Sequence, residues 1–271
     1  MKHTPADASA RLRALARAWV HRAYSPFSHR PDAAILLLGD GAWVPGVRVE
    51  SASYSLEIPS VQNAISTAVA LGRRDIVALA MSRPITPEDA AYLGTLPEIA
   101  LAQVDEALFA ATGPLPQVAP EPLSPYLDAD TPATSEEGLG IARRLAARAY
   151  VPESDFPVAC VIETGTGLLV PGVNVEHPTW SRILCAERNA LGTLVTYGIQ
   201  DPETMYLTCT REPGCTPCGA CRQLLAELTP EATLWMDSSI PGGRAAHPYE
   251  LLPEFFTGAT LFRTPNPRDT A

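Results

Sequence analysis

No stretch of this chain approaches ~18 uninterrupted apolar residues, so no segment is long enough to cross a bilayer as a helix. A basic patch is missing too: 30 Asp plus Glu stand against 20 Lys plus Arg, a formal charge of −10. Such a chain repels a long phosphate backbone, which argues against nucleic acid as a partner. Aromatic residues make up only 7%, leaving little material for the stacking platforms of single-strand binders. The segment before Tyr24 lacks the apolar run of a secretory signal and carries Arg11, Arg13, Arg17 and Arg22 among alanines and leucines. It reads as an amphipathic helix, and the expectation is a cytoplasmic protein with no membrane partner. Cysteine is absent from the first half. All six (Cys160, Cys185, Cys209, Cys215, Cys218, Cys221) lie in the second, four of them between residues 209 and 221. A disulfide framework would staple both halves of a secreted chain, whereas clustering around a Cys-x-x-Cys pair points to metal or redox chemistry in a reducing compartment.

What is present is a repeat. A chain of 271 residues suits two domains, and Ala23-Tyr24-Ser25-Pro26 matches Ala149-Tyr150-Val151-Pro152 at an offset of 126 that persists without a gap. Val44-Pro45-Gly46-Val47 pairs with Val170-Pro171-Gly172-Val173, Glu50 with Glu176, Asn63-Ala64 with Asn189-Ala190 and Gly72 with Gly198. Several matches at one spacing indicate duplication. The polar segment 128–138 has linker composition, with Pro132 inside it, and Ser135 followed by Glu136 and Glu137 suits a helix start. The expected domains are therefore residues 1–130 and 131–271. Each half reads as an Arg/Ala helix, two strands joined by a turn (33–38 and 43–49; 158–162 and 168–175), a helix, an apolar strand (76–81; 205–208) and another helix. That alternation predicts an α/β fold: two tandem α/β/α layered domains, each a mixed sheet flanked by helices.

Two short stretches dominate the second half, Cys185-Ala186-Glu187-Arg188-Asn189-Ala190 and Thr216-Pro217-Cys218-Gly219-Ala220-Cys221-Arg222-Gln223. Both open helices by their pattern. Pro217 suits a first turn, Leu224, Leu225 and Leu228 supply an apolar face, and Cys185 precedes Ala190, Leu191, Leu194 and Val195 at helical spacing. Cys185, Cys218 and Cys221 thus sit at positive helix ends, where thiolates are favoured. Three ligands rather than four suit a catalytic zinc, which keeps one position open. Cys215, three residues before Cys218, leaves a closed four-sulfur structural site as the other reading; otherwise Cys160, Cys209 and Cys215 read as buried free thiols.

These segments resemble the signature of the cytidine deaminase family, which pairs Cys-Ala-Glu or His-Ala-Glu with a distant Pro-Cys-x-x-Cys. The resemblance implies one zinc per chain held by Cys185, Cys218 and Cys221, a water activated by the metal, and Glu187 shuttling protons without ligating it. The implied reaction is hydrolytic deamination of cytidine and deoxycytidine, so the partner is a small cytosine nucleoside. Arg188 would hydrogen-bond ligand sulfurs and offset the negative charge of a three-thiolate site. The likeness extends over most of residues 139–260. Phe156 looks like the family's strand entry beside the base. Asn174 and Glu176, two apart on a strand and so pointing the same way, look like the pair that holds the 3′-hydroxyl. Phe256, closing Glu250-Leu251-Leu252-Pro253-Glu254-Phe255-Phe256, looks like the aromatic that stacks on substrate across a subunit interface.

The sequence also departs from the family. His177-Pro178-Thr179-Trp180 replaces Asn-Ala-Ser-Tyr, a loop that reaches a neighbouring active site in homotetrameric members, whereas the first half reads Glu50-Ser51-Ala52-Ser53-Tyr54 there. Pro59, Ser60 and Val61 stand where Cys185, Ala186 and Glu187 do, and Glu88 and Ala91 stand for Cys218 and Cys221. The first half cannot bind zinc in this manner. It is expected to survive as a structural partner that presents Ala52 and Tyr54 to an active site in another chain, so that a homodimer imitates a tetramer of single domains. Three other readings stay open: a deaminase of a modified cytosine nucleoside such as a nucleoside antibiotic, a nucleic-acid editing deaminase, and a non-enzymatic zinc protein.

Overall fold

Strand β1 (Ala33–Leu38) is apolar and buried at every position, a pattern that requires cover on both faces of its sheet. In the computed structural model, which describes residues 5–94, 96 and 99–261, helix α1 (Pro5–Trp19) supplies one cover and α2 (Ser60–Ala70) the other. Ile35 and Leu37 face α1 through Leu12, Leu15 and Ala16, while Ala34, Leu36 and Leu38 face α2 through Ala64, Ile65 and Ala68. Residues 1–4 of the expected amphipathic N-terminal helix lie outside the described residues. The first sheet runs β2-β1-β3-β5-β4, adding β2 (Trp43–Val47), β3 (Ile76–Met81), β4 (Ala102–Asp105) and β5 (Leu108–Ala110), with α3 (Pro87–Gly94) after β3.

The second half rebuilds this plan. Helix α4 (Ser135–Leu145) starts from the N-cap Thr134, whose side chain accepts from Glu137 N–H. It covers one face of β6 (Val158–Thr164), while α5 (Ala186–Tyr197) and α6 (Gly219–Leu228) cover the other. The sheet order is β10-β9-β8-β6-β7, with β7 (Leu169–Val173), β8 (Pro202–Cys209), β9 (Thr233–Met236) and β10 (Arg244–Ala246); a short α7 (Pro248–Leu251) follows.

The expectation of a mixed sheet in each half holds for the second and needs correcting for the first. β8 and β9 pair in parallel through the α6 crossover. In the first sheet every strand pair is antiparallel, and the parallel contact is confined to the isolated bridge between Tyr24 and Val49. After α3 the chain turns back as the β4–β5 hairpin, and it is the returning strand β5 that pairs with β3. A two-residue turn permits that; a parallel partner needs a full crossover.

The two halves meet across α2 and α5 in hydrogen bonds that repeat at the duplication spacing. Thr67 and Thr193, related by that spacing of 126, bond to each other at 2.9 Å and so mark the local dyad. On one side Asn63 Nδ2 donates to Val47 O (2.8 Å) and across to Gly192 O (3.2 Å); on the other Asn189 Nδ2 donates to Val173 O (2.9 Å) and across to Ser66 O (3.0 Å). Gln62 Nε2 donates to Arg182 O, and Arg188 Nη2 donates to Leu56 O (2.9 Å) in return. Both Asn63 and Asn189 are fully buried, so each satisfies carbonyls that water cannot reach. Asn63→Ala is expected to orphan such carbonyls and destabilise the fold by about 2 to 3 kcal/mol, read as a lower thermal midpoint with zinc content unchanged.

Candidate active site

Two helix starts are brought together in the second half. Cys185 is the N-cap of α5 and Cys218 the N-cap of α6, where its sulfur accepts from Cys221 N–H at 3.5 Å. Cys221 follows in the first turn of α6 and is fully buried. The sulfurs lie 3.8 Å apart for Cys185 and Cys218 and 3.4 Å for Cys218 and Cys221, and all three fall within 4.8 Å of one another. Tetrahedral zinc with Zn–S bonds of ~2.3 Å sets its sulfurs ~3.8 Å apart, so the donor set and its spacing fit that metal. The electrostatics agree. The Cys218 thiol is pulled far down by bonds from its two neighbouring thiols, while Cys185, bonded to Cys218, is pushed up to about 12. Three crowded sulfurs cannot all ionise without a cation, and the chemistry of the group calls for one.

Among the described residues this is the one cluster of three such ligand groups. Cys215 is not part of it. Cys215 lines the same cleft while its thiol lies against Cys209, and burial pushes it up to about 12; the four-sulfur reading therefore lacks its fourth member. Cys160 and Cys209 are buried free thiols.

Glu187 is 3% exposed, and burial in this apolar pocket, with the Cys218 thiolate close by, raises its carboxyl to about 7. It opens onto a cleft of about 390 Å³ whose lining includes the three cysteines, Ser154, Phe156, Asn174, Glu176 and Trp180. Asn174 Oδ1 accepts from Val158 N–H (2.8 Å) and its Nδ2 donates to Phe156 O (2.9 Å). The Glu176 carboxylate accepts from Glu153 N–H (2.8 Å), Ser154 N–H (3.1 Å) and the Ser154 hydroxyl. Both side chains therefore shape the loop before β6 and also face the cleft.

β7 is pressed against the first turn of α5 at Gly172, where an added Cβ would stand 2.2 Å from Ala186 O and 2.6 Å from Ala190 N. Backbone cannot yield as a side chain does. Gly172→Ala is expected to lever Cys185 and Glu187 out of place, with activity at least tenfold lower and zinc lost faster to a chelator; Gly94→Ala, which meets nothing within 4 Å, should change neither.

Other predicted site residues lie elsewhere. Arg188 is buried, and its hydrogen bonds go to Leu56 O (2.9 Å) and Glu57 O (3.2 Å) of the first half, none to sulfur. The reason is the dyad packing, which lays those carbonyls along its side chain; its Nε stays buried without a partner. The 50–54 loop, whose Ala52 and Tyr54 the sequence offers to another chain, makes contacts with its own second half: Ser51 Oγ and Ala52 N–H donate to the Glu227 carboxylate on α6 at 2.8 and 3.0 Å. Ala52 is buried, Tyr54 is 91% exposed, and neither lines the cleft. Phe256 is half-exposed outside the cleft, its carbonyl accepting from Gln223 Nε2 (2.7 Å). His177 is buried and stacked on Tyr92 of the first half at 4.9 Å. Sequence reasoning did not single out Ser154 or Glu227, though Ser28 and Glu50 repeat the Ser154–Glu176 arrangement in the first half.

In that first half, charge occupies the corresponding ground. Arg48, at the position of Asn174, pairs with Glu50 (3.1 Å) and Glu57 (2.5 Å), and Arg83 joins buried Asp32 (3.1 Å) to Asp89 (2.6 Å).

Known proteins match both halves of the chain. The family description "Cytidine and deoxycytidylate deaminase zinc-binding region" matches residues 132–236 and, separately, residues 1–82. The chain is similar to a cytidine deaminase of Halalkalibacterium halodurans, 34% identical over 114 residues, or 42% of this chain and 86% of that protein. It is also similar to one of Sporosarcina psychrophila, 34% identical over 93 residues, or 34% of this chain and 68% of that protein. A solved cytidine deaminase from Burkholderia pseudomallei is 30% identical, with a TM-score of 0.42 over 45% of this chain and 99% of that one.

Proposed function

The chain belongs to the cytidine and deoxycytidylate deaminase family of zinc-dependent hydrolytic enzymes, and from that premise we propose that it converts cytidine and deoxycytidine to uridine and deoxyuridine in pyrimidine salvage. The observation that carries the reading is a buried carboxyl, Glu187, set beside a three-sulfur cluster at the floor of a cleft with room for a nucleoside.

Cys185, Cys218 and Cys221 would hold one zinc ion, and a bound zinc supplies Lewis acidity that brings the ionisation of water toward neutral pH. Glu187 does the proton work. Raised by burial to about 7, its carboxyl both gives and takes protons near neutrality: one goes to ring nitrogen N3, and another follows to the amine as it leaves from C4. Water is consumed and ammonia released. Phe156 lies beside the base, and Asn174 and Glu176 face the sugar with the hydrogen-bonding capacity that the loop leaves them. Arg188 acts as a positioning residue that ties the start of α5 to the first half.

In this reading the boundary lies near residue 130, and the first half is a metal-free partner that braces the catalytic half. Its ion pairs fill the place of a substrate pocket, and its 51–57 loop steadies Arg188 and Glu227 from within the same chain. Two such chains form a homodimer, with Tyr54 and Phe256 offered to the second copy. Six free thiols suit the reducing cytoplasm.

Zinc content per chain, measured together with the fall in cytidine absorbance and the release of ammonia, tests the core of the proposal. One zinc with turnover is expected; two zincs, or one zinc without turnover of either nucleoside, would refute it. Residues 131–271 expressed alone are expected to aggregate or to keep less than about a tenth of the activity, because buried Asn189 and Thr193 lose their partners.

A further inference from the structure

We propose that a hollow between the two halves, away from the cysteine cleft, binds a small free guanidinium compound carried on a short alkyl stem. The hollow is about 450 Å³, lined by residues 21–24 of the first half and by the C-terminal ends of α5 and α6 with Gln200 and Asp201. It shares no lining residue with the cleft of Cys185 and Glu187, so the site stands apart from the deaminase reading.

The duplication supplies a template for the guest. At the spacing of 126, Leu191, Val195 and Gln200 correspond to Ile65, Val69 and Arg74, and Tyr24 corresponds to Tyr150; that second set lines the dyad-related hollow. Only about 30 Å³ is open there, since Leu96, Ile99 and Arg74 lie in it. The Arg74 guanidinium stands 5.3 Å from the centre of the Tyr150 ring. Its Nη2 donates to Arg148 O (3.2 Å) and Ala149 O (3.3 Å). Beside it Arg73 donates to both oxygens of Asp75, at 2.9 and 2.8 Å.

The second copy keeps the acceptors and loses the cations. Gly72-Arg73-Arg74-Asp75 becomes Gly198-Ile199-Gln200-Asp201. Gln200 Nε2 turns back to Gly198 O (3.4 Å). Tyr24 is 36% exposed, and among the described residues nothing donates to Arg22 O or Ala23 O, the counterparts of the Arg148 and Ala149 carbonyls. Asp201 is exposed and has no ion pair among the described residues. Burial and the carboxylates of Glu227 and Glu50 hold the Tyr24 hydroxyl above its ordinary range, the mark of a negative surrounding. Arg22 does not take the missing role: it lies over Gly198 as Arg148 lies over Gly72, and Arg148 shares its hollow with Arg74. An aromatic face, two carbonyls and a carboxylate together recognise a planar cation with several N–H donors. An anion would meet the carbonyls and Asp201 instead.

Agmatine, a guanidinium on a butyl stem, is the probe, titrated calorimetrically into the zinc-loaded full-length protein with n-butylurea as the uncharged control. Agmatine is expected to bind at least about tenfold tighter than n-butylurea and, near saturation, to raise the thermal midpoint by about 2 to 4 °C. Asp201→Asn, which suits the positive φ of 59° at that position, should weaken agmatine about threefold. Gln200→Arg restores the lost guanidinium; it should raise the midpoint without any probe and weaken agmatine at least about tenfold. Equal binding of n-butylurea would overturn the proposal, and so would wild-type agmatine affinity in Gln200→Arg, which places the probe elsewhere. If Gln200→Arg does not fold, unchanged affinity in Asp201→Asn overturns it independently. Tighter binding of N-acetylarginine amide than of agmatine assigns the hollow to an arginine displayed on a polypeptide and overturns the free-compound assignment.

Discussion

Glu187→Gln is expected to leave one zinc per chain and lower kcat by roughly 100-fold to 10,000-fold, with KM changed far less. The substitution keeps the shape and burial of the side chain but cannot take up and release a proton. Glu187 is 3% exposed and sits against Cys218 and Cys221, where a neutral amide in its place offers no equivalent relay. Zinc retention separates this outcome from a folding defect, because the three sulfurs do not need the carboxyl in order to converge. Metal analysis and turnover on the same preparation check it; an active Glu187→Gln enzyme would remove the carboxyl from the mechanism.

Cys221→Ala should abolish both the metal and the activity. Cys221 is fully buried in the first turn of α6, 3.4 Å from the Cys218 sulfur, and two remaining thiols cannot satisfy a tetrahedral cation with one open position. Metal binding to the native state stabilises it by mass action. The variant should therefore melt at the temperature of the chelator-stripped wild type, several degrees below the zinc-loaded protein. A variant that retained stoichiometric zinc would show that another donor lining the cleft, such as Glu187 or Cys215, completes the site.

The three-cysteine cluster and the carboxyl near it were legible in the sequence because they are written locally. Cys185 and Glu187 are two residues apart, Cys218 and Cys221 three, and each pair opens a helix whose apolar spacing is visible downstream. The duplication was legible for a similar reason, since a constant offset leaves a trace in the sequence. How the copies dock was not. Asn63 and Asn189 show up as a repeated pair, but only the folded chain reveals that each reaches across to a carbonyl of the other half. The direction taken by Arg188 and the cis placement of the 51–57 loop depend on that docking, so neither could be read from a single copy. The β4–β5 hairpin escaped notice because Ala102–Asp105 is exposed throughout and Leu108–Ala110 is three residues long, too little for a period to register.

The Thr67–Thr193 contact fixes the two copies face to face at unit ratio, and this bears on how the chain can change over generations. In an assembly of identical subunits every substitution is felt at every site. Here fusion has made the copies separately heritable, so on the proposed function a change at Pro59 or Arg48 is screened for fit while the same change at Cys185 or Asn174 is screened for chemistry. Saturation mutagenesis under selection for growth on cytidine should find the first copy tolerant at Pro59, Glu88 and Ala91, where the second copy carries its cysteines, but not in its buried core or along its seam with the second.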